Sequence, residues 1–144
     1  MVVDISTSTV IERPRDEVAL YAADPGNAPA WYANIRSADW VTEPPLVVGS
    51  QIRFTARFLG RDLAYTYEVI TFEPKGALVM RTVQGPFLME TTYTWEDVDG
   101  GTRMTLRNRG APSGFGRLMA PLMGLAMRRA MTKDLARIKG ILES

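Results

Sequence analysis

Residues 113–144 read SGFGRLMAPLMGLAMRRAMTKDLARIKGILES, a pattern typical of one long amphipathic helix. Apolar residues recur every three or four positions along one face: Met119, Met123, Met127, Met131, Leu135, Ile138 and Leu142. We expect Leu118, Leu122 and Leu125 to widen this apolar stripe. Ser113 is the predicted N-cap, and Pro121 predicts a kinked beginning. At 1.5 Å per residue, about 28 residues would span roughly 42 Å, so the helix requires a large, curved apolar partner.

The preceding residues are predicted to form that partner as strands joined by tight turns. Six segments have strand patterns: 37–42, 51–59, 63–72, 78–83, 87–96 and 102–109. In residues 59–62, Gly60 is predicted as the first central residue of a two-residue type II′ hairpin. Residues 73–76, Glu-Pro-Lys-Gly, predict a four-residue turn.

The β-branched residues 2–11 predict a further strand, which we expect at the sheet edge beside the last strand. Two short helices should connect it to the others, the first opened by Pro14 and the second carrying Trp31 and Tyr32. The predicted order is β-α-α-β6-α. This is an α+β chain, a single domain over residues 1–144, whose curved antiparallel sheet of about seven strands wraps around the C-terminal helix.

Composition excludes several kinds of chemistry. The 144 residues include no cysteine and no histidine, which excludes disulfides, thiolate nucleophiles, histidine triads and Cys or His metal sites. We therefore expect no cofactor and no metal. The net charge of +1 gives no field that would recruit nucleic acid. With no secretion signal and no long apolar run, we expect a soluble, cytoplasmic monomer or weak homodimer without stable membrane insertion.

Several segments carry a family resemblance. They are WVTEPP at 40–45 before VGS at 48–50, YTYEV at 65–69 before EP at 73–74, TYTWE at 92–96 before GGTR at 100–103, and KDLARIK at 133–139. Together with the element order, they resemble the SRPBCC superfamily, which includes START-like lipid carriers, birch-pollen-allergen-like proteins and polyketide cyclase/dehydrase-like proteins. The resemblance covers nearly the whole chain. It implies a helix-grip fold with a deep apolar cavity between sheet and long helix, and because the motifs mark turns and core positions, it specifies fold better than function.

Large residues on the predicted inner face are candidates to line a ligand pocket. They are Trp31, Tyr32, Trp40, Phe54, Phe58, Tyr65, Tyr67, Met80, Phe87, Met89, Tyr93, Asn108, Met119, Met123 and Met127. Each could instead simply fill a core. As a group they favour a pocket, because methionine suits an adaptable wall and buried tyrosine and tryptophan require polar partners. Trp31 and Tyr32 are expected near one entrance.

Three functions fit these patterns. The first is a carrier for a small hydrophobic molecule, such as a lipid, isoprenoid or polyketide-like aromatic. The second is a cyclase/dehydratase-type enzyme that polarises its substrate with Tyr67, Tyr93 and Asn108, since the strand glutamates and arginines are predicted to face solvent. The third is a protein-interaction module with a closed pocket.

Overall fold

The computed structural model describes residues 3–58, 60–85, 88–111 and 120–144. The described residues form seven strands: β1 (Val3–Ile11), β2 (Ile35–Trp40), β3 (Gln51–Phe58), β4 (Arg61–Glu73), β5 (Ala77–Gln84), β6 (Leu88–Val98) and β7 (Gly101–Ala111). The helices are α1 (Arg15–Ala23), α2 (Ala28–Trp31) and α3 (Ala120–Glu143), and a 3₁₀ turn covers Pro25–Asn27. The predicted order of elements is confirmed.

The seven strands form one antiparallel sheet in the order β1-β7-β6-β5-β4-β3-β2. β1 pairs with β7 from Val3 opposite Gly110 to Ile11 opposite Thr102, as predicted for an edge strand beside the last one. The curled sheet carries its apolar side chains on the face that α3 covers, which is the arrangement of a helix-grip fold.

The outer face of the sheet carries the charged side chains. Glu90 accepts hydrogen bonds from Arg81 and Arg109, each at 2.9 Å, and Arg107 binds both carboxylate oxygens of Asp4. The hydrogen bond from Arg81 lowers the pKa of Glu90 further than its slight burial raises it. Solvent-exposed pairs of this kind each contribute at most about 1 kcal/mol. Their placement confirms the prediction that these charged residues face outward.

The helix α3 buries a narrower stripe than its sequence predicts. Met123, Met131 and Ile138 are buried, whereas Leu122 and Leu125 are each 56% exposed. The expectation that the two leucines widen the stripe is wrong, because at about 100° per residue they lie roughly 100° and 200° around the helix from Met123. The predicted N-cap Ser113 and residue 118 fall outside the described residues.

One turn differs from its prediction and another matches it. The pairing of Phe54 with Tyr65 continues to Phe58 opposite Arg61, so Gly60 is the second central residue of the hairpin, not the first. Its φ of 75° is one that glycine adopts without steric cost. In the β4–β5 turn, the Gly76 N–H donates to the Glu73 carbonyl at 2.8 Å, as expected of residues 73–76.

No described helix combines the length and apolarity needed to cross a membrane.

The burial of α3 can be tested with two truncations on the same helix. Ile138→Ala removes a fully buried side chain and should lower the free energy of unfolding by about 2–5 kcal/mol. Leu125→Ala changes an exposed position and should cost less than about 0.5 kcal/mol. Urea denaturation followed by circular dichroism measures both. Equal losses would contradict this orientation of the helix.

Candidate functional site

A cavity lies between the inner face of the sheet and α3. Its volume is about 130 Å³, far more than one water molecule requires. Five methionines line it, two from the sheet and three from the helix: Met80, Met89, Met123, Met127 and Met131. Their unbranched, polarizable side chains form a wall that can repack around differently shaped guests.

Aromatic rings from β3 and β4 form a second wall. Phe54 meets Tyr67 edge to face with ring centroids 5.7 Å apart, and Tyr65 lies 6.0 Å from Tyr67. Burial raises the pKa of both tyrosines, so their hydroxyls stay neutral at physiological pH. This wall is therefore apolar in its bulk, with neutral hydroxyl groups at its edge.

A first polar group joins β4, β6 and β7. The Thr91 hydroxyl donates to Asn108 Oδ1 at 2.6 Å, so it accepts from the Tyr67 hydroxyl at 3.2 Å. All three residues line the cavity. Within the described part of the chain, the side-chain NH2 group of Asn108 makes no hydrogen bond. It is thus available to donate to a ligand.

A second polar group contains two tyrosines. The Tyr32 and Tyr93 hydroxyls are 2.5 Å apart, and the Trp31 ring packs behind both, 4.1 Å from Tyr32 and 5.7 Å from Tyr93. Burial raises the pKa of each tyrosine. Since only one proton can lie between two hydroxyl oxygens, the proton of the other hydroxyl is not used within the pair.

Asp134 completes this second group from α3. It lines the cavity, is 3% exposed, and accepts a 2.9 Å hydrogen bond at Oδ1 from the N–H of Ala33, the residue after Tyr32. It forms no ion pair with the described residues. Burial raises its pKa to about 6, although the Ala33 N–H and the charges of Arg137 and Lys133 oppose that rise.

The structure brings ten of the predicted pocket residues around this one cavity. They are Tyr32, Phe54, Tyr65, Tyr67, Met80, Met89, Tyr93, Asn108, Met123 and Met127. Two others do not line it: Trp31 is fully buried behind Tyr32 and not at an entrance, and Trp40 packs at the margin of the core. The Phe58 side chain, Phe87 and Met119 lie outside the described residues.

Seven residues that line the cavity are not among the candidate pocket residues, although Met131 belongs to the predicted methionine row of the helix. They are Asn34, Ile35, Ala56, Thr91, Ala130, Met131 and Asp134. Asp134 had a detectable signal, because it lies three residues after Met131 and four before Ile138, inside the apolar stripe. An acidic residue at such a position is expected to be buried together with the apolar residues around it.

Comparison with known proteins identifies the family. The family described as "Polyketide cyclase / dehydrase and lipid transport" matches residues 2–143, and the chain belongs to it. This agrees with the resemblance to the SRPBCC superfamily. A comparison with curated protein sequences found no match.

Solved structures show the same fold. A START superfamily protein from Mycobacterium smegmatis aligns with a TM-score of 0.84 and 12% identity, over 97% of each chain. The Zhui aromatase/cyclase from Streptomyces sp. R1128 aligns with a TM-score of 0.82 and 14% identity, over 99% of this chain and 94% of that one. The major latex-like protein 151 of Panax ginseng aligns with a TM-score of 0.72 and 15% identity, over 99% of each. At these identities the likeness is one of fold.

The raised pKa of Asp134 predicts a pH-dependent stability. Its pKa is 3.8 when unperturbed and about 6 in the folded chain, so the folded state holds the proton more tightly. This group then favours folding at low pH, and its contribution is lost as the pH rises from about 4 through 6. Relative to Asp134→Asn, the wild type should lose about 2–3 kcal/mol of unfolding free energy between pH 4 and 7.5.

Urea denaturation of both proteins at several pH values measures this difference. Asp39→Asn, which removes a carboxylate from an exposed position on β2, controls for the loss of one negative charge. A difference between wild type and Asp134→Asn that stays constant with pH would contradict the burial of an uncompensated carboxyl group.

Proposed function

We propose that this protein binds one small, mainly apolar molecule in the cavity between the sheet and α3. The observation that carries the proposal is the composition of that cavity, which is lined by five methionines, three from α3 and two from the sheet, and by aromatic rings from β3 and β4. A cavity of this kind offers a ligand a large apolar contact area, and the exclusion of water from that area supplies the free energy of binding.

The expected ligand is a lipid, an isoprenoid or a polyketide-like aromatic. Methionines at successive turns of α3, Met123, Met127 and Met131, favour a site that accepts related shapes over one shaped for a single rigid molecule. The family description, which names lipid transport, supports the same class of ligand.

Filling the cavity tests the proposal. Met127→Trp places a larger side chain in the cavity and should weaken binding of the neutral fluorescent probe N-phenyl-1-naphthylamine by about tenfold or more. Leu125→Trp adds the same side chain on the exposed face of the helix and should leave the affinity unchanged. Fluorescence titration gives both dissociation constants. A wild type that does not bind the probe, or two variants with equal affinity, would refute this placement of the ligand.

A second candidate is an enzyme that acts on a carbonyl-rich substrate in the same cavity. The observation that favours it is the Tyr67–Thr91–Asn108 chain, which fixes the Asn108 side chain and leaves its NH2 group free to polarise a carbonyl oxygen. The Zhui aromatase/cyclase has this fold, and the family description includes polyketide cyclase.

This candidate predicts turnover of a synthetic poly-β-ketone chain, measured by liquid chromatography and mass spectrometry of the cyclised products. Asn108→Ala should slow turnover by about a hundredfold, because the removed hydrogen bond would act on the charge that develops at the carbonyl oxygen. Probe binding by the same variant shows whether its cavity is intact. If wild type and variant form products no faster than buffer, the second candidate is wrong and the first is unaffected.

A further inference from the structure

One end of the cavity is polar, and an entirely apolar ligand would leave its polar groups without hydrogen-bond partners. Asp134 is almost completely buried there and has a single backbone hydrogen bond, from Ala33, and no ion pair with the described residues. A buried carboxyl group whose lone pairs are unsatisfied costs free energy. Such a cost is recovered if a bound molecule supplies the missing donor.

The tyrosine pair lacks a hydrogen-bond acceptor, whereas Asp134 lacks a donor. One of the Tyr32 and Tyr93 hydroxyls donates to the other, which leaves one hydroxyl proton without an acceptor in the pair. The Ala33–Asp134 hydrogen bond ties the carboxylate to the backbone next to Tyr32, and Asp134, Tyr32 and Tyr93 all line the same cavity. Burial is the main cause of the raised pKa of both tyrosines, and the negative charge of Asp134 adds to it.

We propose that Asp134 and the Tyr32–Tyr93 pair select a ligand that carries a hydroxyl group, an apolar alcohol or phenol. The ligand O–H donates to the carboxylate of Asp134, and the ligand oxygen accepts the free tyrosine proton. A hydroxyl satisfies both needs, whereas a ketone or ether oxygen only accepts and an ammonium group only donates. This inference rests on the proposed function. It adds the hydroxyl as the chemical group by which the cavity discriminates among apolar molecules.

Recognition of the ligand hydroxyl depends on the charge of Asp134, which changes with pH. Other titratable and charged groups face Asp134. They are Tyr32 from the segment after α2, Tyr93 from β6, and Arg137 and Lys133 from α3 itself. Burial keeps both tyrosines protonated, and Arg137 is tied to the Ala30 carbonyl at 2.8 Å. Above the Asp134 pKa of about 6 the carboxylate accepts strongly, and below it the protonated acid accepts weakly. Selection for a hydroxyl should therefore strengthen as the pH rises.

The test compares 2-naphthol with 2-methoxynaphthalene, which has the same rings but no donor, by isothermal titration calorimetry. At pH 7.5 the wild type should bind 2-naphthol at least about tenfold more tightly, since a hydrogen bond to a charged group has this effect. Between pH 7.5 and 5 that preference should decrease. Asp134→Leu should bind both compounds equally. Asp134→Asn, which keeps the shape and an acceptor oxygen, should show a smaller preference that does not change with pH.

The possible results distinguish a failure of this inference from a failure of the proposed function. If the wild type binds both compounds with equal affinity, or if its preference does not change with pH, Asp134 does not recognise a hydroxyl and the apolar-ligand proposal still holds. If the wild type binds neither compound and also fails to bind N-phenyl-1-naphthylamine, the proposed function fails and the selection with it.

Discussion

The fold depends on one packing constraint: α3 must bury a single stripe of side chains against the inner face of a curled sheet. Toward its C-terminal end, Leu135 and Ile138 reach the core and close the contact. Nearer its N-terminal end, Met123 and Met127 meet open space. The cavity therefore lies where the stripe of α3 and the inner face of the sheet do not meet.

The two ends of the cavity differ in rigidity. At the polar end, Trp31 packs on Tyr32 and Tyr93, and the Ala33 N–H ties the α2 segment to Asp134 on α3. Aromatic contacts and a buried hydrogen bond fix positions closely. The methionine wall, in contrast, adapts its shape. Together they fit the proposed site, in which one polar group of the ligand has a defined place and the apolar remainder can vary.

Periodicity in the sequence predicts most of this architecture, and it fails where a position depends on distant contacts. The two-residue alternation of β6 and β7 placed Tyr93 and Asn108 inward correctly. Helical geometry already places Leu125 roughly 200° around the helix from Met123, whereas the exposure of Leu122, roughly 100° away, also depends on how far the sheet wraps around α3. The position of Asp134 inside the apolar stripe indicates its burial, but its hydrogen bond with Ala33, 101 residues earlier in the chain, has no local pattern in the sequence.

The central claim, that the cavity holds a small apolar ligand, is tested most directly by native mass spectrometry of protein purified gently from the host that produces it. Denaturing extraction then identifies whatever was bound. The account predicts one equivalent of a mainly apolar molecule that carries a hydroxyl group. A chain recovered without ligand, which also fails to take up a neutral apolar probe, would contradict it.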